Sequence, residues 1–188
     1  MAEAGPHDDQ NPSESRSLTA RSAALDILDA VLVRRQGLDD ALAAHRGLPA
    51  LAPRDRAFAR LVVATTLRRL GQIDAALTAC LDRSLTPKAS MVRNVLRLGA
   101  AQLLFLATPS HAAVDSSVEL ATGRRNTYRG LINAVLRRLS TVGGDLVAAQ
   151  DAARLNTPDW LWQSWTKAYG EPAARAIAET HLTEPPLD

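Results

Sequence analysis

The stretch TPKASMVRNVLRLGAAQLLFLA, residues 86–107, decides the fold class of this chain. Thr86-Pro87 is a typical helix start, because threonine can cap the first turn and proline lacks an N–H that the first turn leaves unpaired. The apolar residues that follow point in nearly every direction around a helical axis, and a helix of that kind lies at the centre of a bundle. Gly99 interrupts them at a cost of roughly 1 kcal/mol against alanine. We therefore predict a buried central helix that another helix crosses closely at Gly99.

Helical periodicity extends through the segments on either side of this stretch. The predicted helices share an apolar stripe at intervals of three or four residues, and they cover or begin near residues 18–35, 38–45, 53, 73, 109 and 127–142. Gly71 is predicted to separate the third helix from the fourth, and Gly143-Gly144 is predicted to end the last one. No segment shows sustained alternation of apolar and polar residues, so the sequence predicts an all-α fold.

The two ends of the chain differ in composition from its middle. Residues 1–15 are polar, contain proline and hold four acidic but no basic side chains. Such a segment buries too little apolar surface to offset its ordering entropy and is predicted to be a disordered tail. The predicted helical domain then spans residues 16–144. Residues 145–188 are predicted to form a linker helix up to Asn156 and a separate helical pair over residues 156–182, rich in tryptophan.

The composition argues against a membrane-spanning protein and against a secreted, disulfide-bonded protein. No window approaches 18 consecutive apolar residues, so no membrane span is expected. The N-terminus has no apolar signal core, and a single cysteine cannot build a disulfide framework. We therefore expect a cytoplasmic protein without a membrane partner.

The sequence contains no recognisable catalytic or metal-binding constellation. Cys80 lies on an apolar helical stripe and is interpreted as a buried structural thiol. The four histidines are scattered without metal-ligand spacing, and no glycine-rich phosphate loop occurs. We predict no catalytic residue, no metal site and no cofactor site in these 188 residues.

Arginine supplies almost all of the positive charge, since only two of the 22 basic residues are lysines. The planar guanidinium suits bidentate contact with phosphate. The arginines that we identify as candidate RNA contacts lie near predicted helix ends: Arg16, Arg21, Arg54, Arg56, Arg60, Arg124, Arg125, Arg129, Arg137 and Arg138. Codon preference in a GC-rich genome is an alternative explanation for the arginine usage, and solvated basic faces without a ligand are an alternative for the clusters. Because aromatic residues are scarce among these arginines, we expect recognition of structured RNA through phosphate and shape and not single-strand stacking. We expect no DNA partner.

Four stretches carry a resemblance to a known family. They are RSAALDIL at 21–28, DRAFARLV at 55–62, LRLGAAQL at 96–103 and GLINAVLRRL at 130–139. In this order and spacing they resemble the helical domain shared by the transcription antitermination factor NusB and the N-terminal part of bacterial Fmu/Sun-type (RsmB) ribosomal-RNA methyltransferases. The resemblance covers roughly residues 18–142.

Two further features are similar to the methyltransferase branch of that family. One is NAVLRR at 133–138, and the other is the segment from Pro158 to Leu187, which has no counterpart in NusB. The resemblance implies a NusB-like helical bundle with a short C-terminal helical extension that contacts ribosomal RNA. It also implies a downstream domain that binds S-adenosylmethionine and methylates C5 of cytosine through a cysteine nucleophile. Cys80 lies outside any such motif, and Arg16 and Arg21 match the basic N-terminal segment of NusB only loosely.

Three functions are consistent with these observations. The first is the RNA-binding N-terminal region of a 16S ribosomal-RNA (cytosine-5) methyltransferase, inactive alone, whose partners are ribosomal RNA and its own C-terminal methyltransferase domain. The second is a stand-alone NusB-like antitermination adaptor that acts through protein partners on nascent RNA. The third is a structural module that docks a catalytic domain through residues 160–169 and binds no RNA. We expect the first.

Overall fold

The computed structural model describes residues 12–184, with side chains described for residues 19–123 and 126–184. This part of the chain contains ten α-helices and no strand, which confirms the predicted all-α fold. The helices are α1 (Pro12–Leu32), α2 (Leu38–Ala44), α3 (Pro53–Arg68), α4 (Leu70–Cys80), α5 (Ser90–Phe105), α6 (Ser110–Glu119), α7 (Arg129–Ala148), α8 (Ala152–Leu155), α9 (Asp159–Tyr169) and α10 (Glu171–His181). Short 3-10 turns over Pro87–Ala89 and Gly123–Tyr128 precede α5 and α7.

The N-terminal boundary differs from the expected one. Helix α1 begins at Pro12, before the predicted end of the tail at residue 15. The rest of the predicted disordered tail, residues 1–11, lies outside the described residues.

Helix α5 is the central helix that the sequence predicts. It packs against α1, α3, α4, α6 and α7, and its buried residues point toward several of these neighbours. Gly99 lies where α6 and α7 approach it: a Cβ atom there would be 2.6 Å from Leu136 Cδ1 and 2.8 Å from Ser117 Oγ. The close crossing predicted at Gly99 is therefore confirmed. The start of α5 differs slightly, because Thr86 makes no side-chain cap and the 3-10 turn Pro87–Ala89 intervenes.

The prediction that Gly143-Gly144 ends a helix is wrong, because α7 continues through both glycines to Ala148. Gly143 is buried, and a Cβ atom there would lie 2.5 Å from Leu104 Cδ2. The glycine therefore lets α7 pack closely on α5. The expected domain boundary at residue 144 falls inside this helix.

The prediction that Gly71 separates two helices is also wrong. The break between α3 and α4 falls at Arg69, and Gly71 lies within the first turn of α4. A Cβ atom on Gly71 would be only 1.8 Å from the carbonyl oxygen of Leu155. Gly71 thus allows the backbone of α8 to rest directly on α4.

The C-terminal extension, residues 149–184, is docked on the bundle rather than separate from it. The predicted helical pair is present as α9 and α10, and α8 with its flanking turns replaces most of the predicted linker helix. The Gln72 N–H donates to Asn156 Oδ1 at 3.1 Å, and Asn156 Nδ2 donates to Gln72 Oε1 at 3.0 Å. Gln150 Nε2 donates to the Gln72 carbonyl at 3.1 Å. These bonds fix α8 against the first turn of α4.

Candidate nucleic-acid interface

The structure does not bring all of the predicted arginines onto one surface. Arg16 lies in α1, and Arg124 and Arg125 lie in the 3-10 turn before α7, but their side chains are outside the described ones. The remaining predicted contacts divide into Arg21 in the interior, a group at the start of α3 and a group on α7.

Arg21 is buried, with only 6% of its surface exposed. Its Nε donates to Gln102 Oε1 at 2.7 Å, and its guanidinium carbon lies 4.8 Å from the centroid of the Phe58 ring. Burial lowers the pKa of Arg21, and the attraction of Glu119 opposes that change. Arg21 therefore joins α1, α3 and α5 in the core, and its guanidinium is not presented to a phosphate.

The arginines of α3 are exposed or partly buried. Arg54 and Arg60 are exposed, and Arg56 Nη1 lies 3.4 Å from the Pro49 carbonyl oxygen. Since α3 packs on α1 and α5, whereas α7 packs on α4, α5 and α6, different parts of the bundle position the two groups.

The arginines of α7 are directed to solvent because the opposite face of this helix is apolar and buried. Arg129, Arg137 and Arg138 are all exposed. Arg137 Nε donates to Asn133 Oδ1 at 3.0 Å, which orients it along the helix. Arg138 Nη1 lies 3.5 Å from Asp82 Oδ1, an exposed ion pair of the kind that contributes little stability. Arg129 has no hydrogen bond or ion pair among the described side chains.

Arg83 joins these arginines from the α4–α5 connection, residues 81–86. It is exposed, and it lines the same groove as Arg138. It is not among the predicted contacts because it stands alone in sequence, 46 residues from Arg129. We call Arg83, Arg129, Arg137 and Arg138 the α7 basic face.

Cys80 lies beside this face but is not exposed on it. It is 4% exposed, which confirms the predicted buried thiol. Burial raises the pKa of Cys80, and Arg138 opposes the change. A thiol in this environment stays protonated and unreactive near neutral pH.

The residues that the structure describes were also compared with the requirements of a metal site and of a membrane span. Within the described residues, no three His, Cys, Asp or Glu side chains are grouped so that they could hold a metal ion. Nor does any helix among them have the length and apolar character needed to cross a membrane.

The C-terminal extension carries a second cluster of arginines, but their guanidinium groups are engaged within the extension. Arg154 and Arg175 lie 5.4 and 5.6 Å from the Trp162 ring centroid. Arg175 donates two hydrogen bonds of 2.9 Å to Asp151, and Arg154 pairs with Asp159. These cations hold α8, α9 and α10 together. By contrast, the rings of Trp160 and Tyr169 on α9 are largely exposed.

Comparison with known proteins adds to this geometry. Residues 18–141 match the NusB family. The chain is 36% identical over 171 residues to "Ribosomal RNA small subunit methyltransferase B" of Xanthomonas campestris pv. campestris, which covers 89% of this chain and 38% of that protein. It is 42% identical over 122 residues to the protein of the same name from Thermus thermophilus, covering 64% of this chain and 28% of that protein. The chain thus spans less than two fifths of the length of these relatives.

Proposed function

The chain belongs to the NusB family, and we propose that it is the RNA-binding region of a longer 16S ribosomal-RNA (cytosine-5) methyltransferase. In this proposal it positions ribosomal RNA for catalysis by the remainder of that protein, which is its intramolecular partner. S-adenosylmethionine binding and methyl transfer belong to the remainder.

One observation carries this proposal. The similarity to the Xanthomonas protein named as a ribosomal-RNA methyltransferase covers 89% of this chain, which is more than the NusB match over residues 18–141. A stand-alone antitermination factor would account for the NusB match alone. Similarity that also takes in chain outside the NusB match favours the methyltransferase interpretation.

The α7 basic face supports an RNA-binding role. Four exposed arginines come from α7 and the α4–α5 connection, and Asp145 is the only acid within α7 itself. Arginine binds phosphate through two parallel N–H groups, and phosphate contacts set the orientation of a protein on nucleic acid. The face can therefore hold an RNA backbone without any rearrangement of the core beneath it.

Charge reversal on this face tests the proposal. The double variant Arg137→Glu/Arg138→Glu should bind a 16S ribosomal-RNA fragment at least about tenfold more weakly than the unmodified chain, because two phosphate contacts become repulsive. Fluorescence anisotropy with a labelled fragment measures the affinity.

The matched control is Arg46→Glu/Lys167→Glu, which changes the net charge equally at two exposed sites away from α7. It should bind the fragment nearly as well as the unmodified chain. Equal weakening by both double variants would show that only overall charge matters, and failure of the unmodified chain to bind any ribosomal-RNA fragment would refute the proposed function.

A further inference from the structure

A groove of about 490 Å³ opens between the α4–α5 connection and α7, beside the α7 basic face. Its apolar lining comes from Leu85 on the connection and from Leu131, Ala134 and Val135 on α7, and Tyr128 adds an aromatic ring. This volume and this mixture of apolar walls with a few polar groups are typical of a site for a small organic group.

The polar groups of the groove are available to a ligand. Ser84 and Thr86 are exposed, and their hydroxyls have no hydrogen-bond partner within the described residues. Arg83 and Arg138 also line the groove. Hydroxyl groups and guanidinium groups therefore border an apolar slot.

A second groove, of about 300 Å³, lies on the other side of the same connection and shares Arg83 with the first, but its other two arginines are already engaged. Arg97 binds Asp74 through bonds of 2.8 and 2.6 Å. Arg93 Nη2 donates to the Leu85 carbonyl at 3.0 Å. A phosphate there would have to displace internal bonds, so the groove beside α7 is the better candidate.

We propose that the groove beside α7 holds one unpaired base of a structured RNA, while Arg83 and Arg138 at its border bind the phosphates that flank it. The inference rests on the proposed RNA-binding function and adds which part of the RNA is recognised. The flat faces of a base suit Tyr128 and the leucine side chains, and its edge can bond to the hydroxyls of Ser84 and Thr86. A fully paired A-form helix keeps its bases stacked, so only a bulge or loop can place a base here.

The charge around the groove favours a nucleotide over an apolar peptide. Its border carries Arg83 and Arg138, and Asp82 is the only acid in its lining. An apolar side chain of a protein partner would leave Arg83 without a counter-ion and Arg138 with only its exposed pair to Asp82, whereas a nucleotide supplies an anion on each side of the base.

Two synthetic RNA hairpins with the same stem test the inference, one with a single bulged nucleotide and one fully paired. The unmodified chain should bind the bulged hairpin about tenfold more tightly, because burial of one base adds to the phosphate contacts. Ala134→Leu fills the groove and should abolish this preference while leaving binding to the paired hairpin unchanged. Ala148→Leu, at an exposed position of the same helix outside the groove, should leave the preference intact.

The outcomes separate this inference from the proposed function. Equal affinity for the two hairpins, or a preference that Ala134→Leu leaves intact, would overturn the base-binding groove while leaving the RNA-binding role in place. Binding of neither hairpin, together with failure to bind ribosomal-RNA fragments, would overturn the proposed function itself.

Discussion

Arg21 and Arg129 are chemically identical residues in opposite surroundings. Arg21 is buried on the Phe58 ring and bonded to Gln102, whereas Arg129 is exposed on α7. The sequence predicts both as RNA contacts, and only the tertiary surroundings distinguish them. A buried arginine stabilises the fold when its N–H groups are satisfied, and an exposed one is available to a ligand.

The methionine variants of these two residues should separate stability from RNA binding. Arg21→Met should lower the free energy of unfolding by about 1–3 kcal/mol, because Gln102 Oε1 loses its charged partner. It should leave RNA affinity unchanged in the folded protein. Urea denaturation measures the first effect and anisotropy the second.

Arg129→Met is the matched control, with the opposite expectation. Stability should change by less than about 0.5 kcal/mol, as is usual for exposed positions, and RNA affinity should fall. If Arg21→Met weakened RNA binding as much as Arg129→Met in fully folded protein, the assignment of Arg21 to the core alone would be wrong.

At the scale of the helices, glycine is needed where two backbones meet. Gly71 allows α8 to rest on α4, and Gly143 lets α7 approach α5. Gly144 is next to Gly143 in the chain, but a Cβ atom placed on it would meet nothing within 4 Å, so it serves no packing role. Adjacent glycines in one helix thus differ completely in their surroundings.

Alanine substitutions should show this difference. Gly71→Ala should destabilise the protein by about 1–3 kcal/mol or more, because the Leu155 carbonyl belongs to backbone and must move. Gly144→Ala should stabilise it by about 0.5–1 kcal/mol through lower entropy of the unfolded chain. Thermal denaturation compares the two, and a neutral Gly71→Ala would contradict the close contact between α4 and α8.

The extension of α8, α9 and α10 should respond to acid through Asp151. The hydrogen bonds from Arg175, helped by the Arg154 N–H, lower the pKa of Asp151 in the folded protein. Because the pKa is lowered in the folded protein, the ionised Asp151 stabilises the extension fully above the ordinary aspartate pKa of about 3.9. This stabilisation is lost as the pH falls through the lower pKa of the folded state. Tryptophan fluorescence, which reports on Trp162 beside Arg175, should change over that acidic range.

Asp151→Asn should remove this acid transition, while Asp145→Asn, at an exposed acid of α7, should leave it in place. Persistence of the same transition in Asp151→Asn would assign it to another group.

At the scale of the whole molecule, we expect the local arrangement of charge, and not the net charge, to determine the affinity for RNA. The chain has a net charge of only +2, yet α7 and the α4–α5 connection carry four exposed arginines, two of which, Arg83 and Arg138, line one groove. We therefore expect the affinity for RNA to fall with salt by the amount that a few phosphate contacts produce. The small net charge of the whole chain would predict a much weaker dependence.

Affinity for a ribosomal-RNA fragment should fall as salt rises, with log K against log[salt] having a slope of roughly −3 if all four arginines contact phosphate. For the Arg137→Glu/Arg138→Glu variant the slope should be less negative by about two, because two phosphate contacts are lost. Anisotropy titrations at several salt concentrations provide both slopes. A slope near zero for the unmodified chain would exclude phosphate contact as the main source of affinity.

The local pattern of apolar, glycine and proline residues determined many features of this fold. The apolar periodicity of residues 86–107 is enough to predict a central helix, because a helix that is apolar all round can exist only where other elements cover it. Gly99 as a close crossing, a helix beginning near Pro53, and Cys80 as a buried thiol follow from the same kind of reasoning and are confirmed. The resemblance over residues 18–142 agrees with the family match over 18–141.

What the tertiary structure alone decided concerns contacts between residues far apart in the chain. Sequence pattern predicts helix breaks at Gly71 and Gly143, but the role of each glycine is set by an atom from a distant helix. Arg21 is buried because Phe58 and Gln102 surround it, and Arg83 reaches the α7 basic face because α4 packs on α7. Periodicity reports which side of a helix is apolar. It does not report which helix covers that side, and the covering helix determines whether an arginine lies in the core or faces solvent.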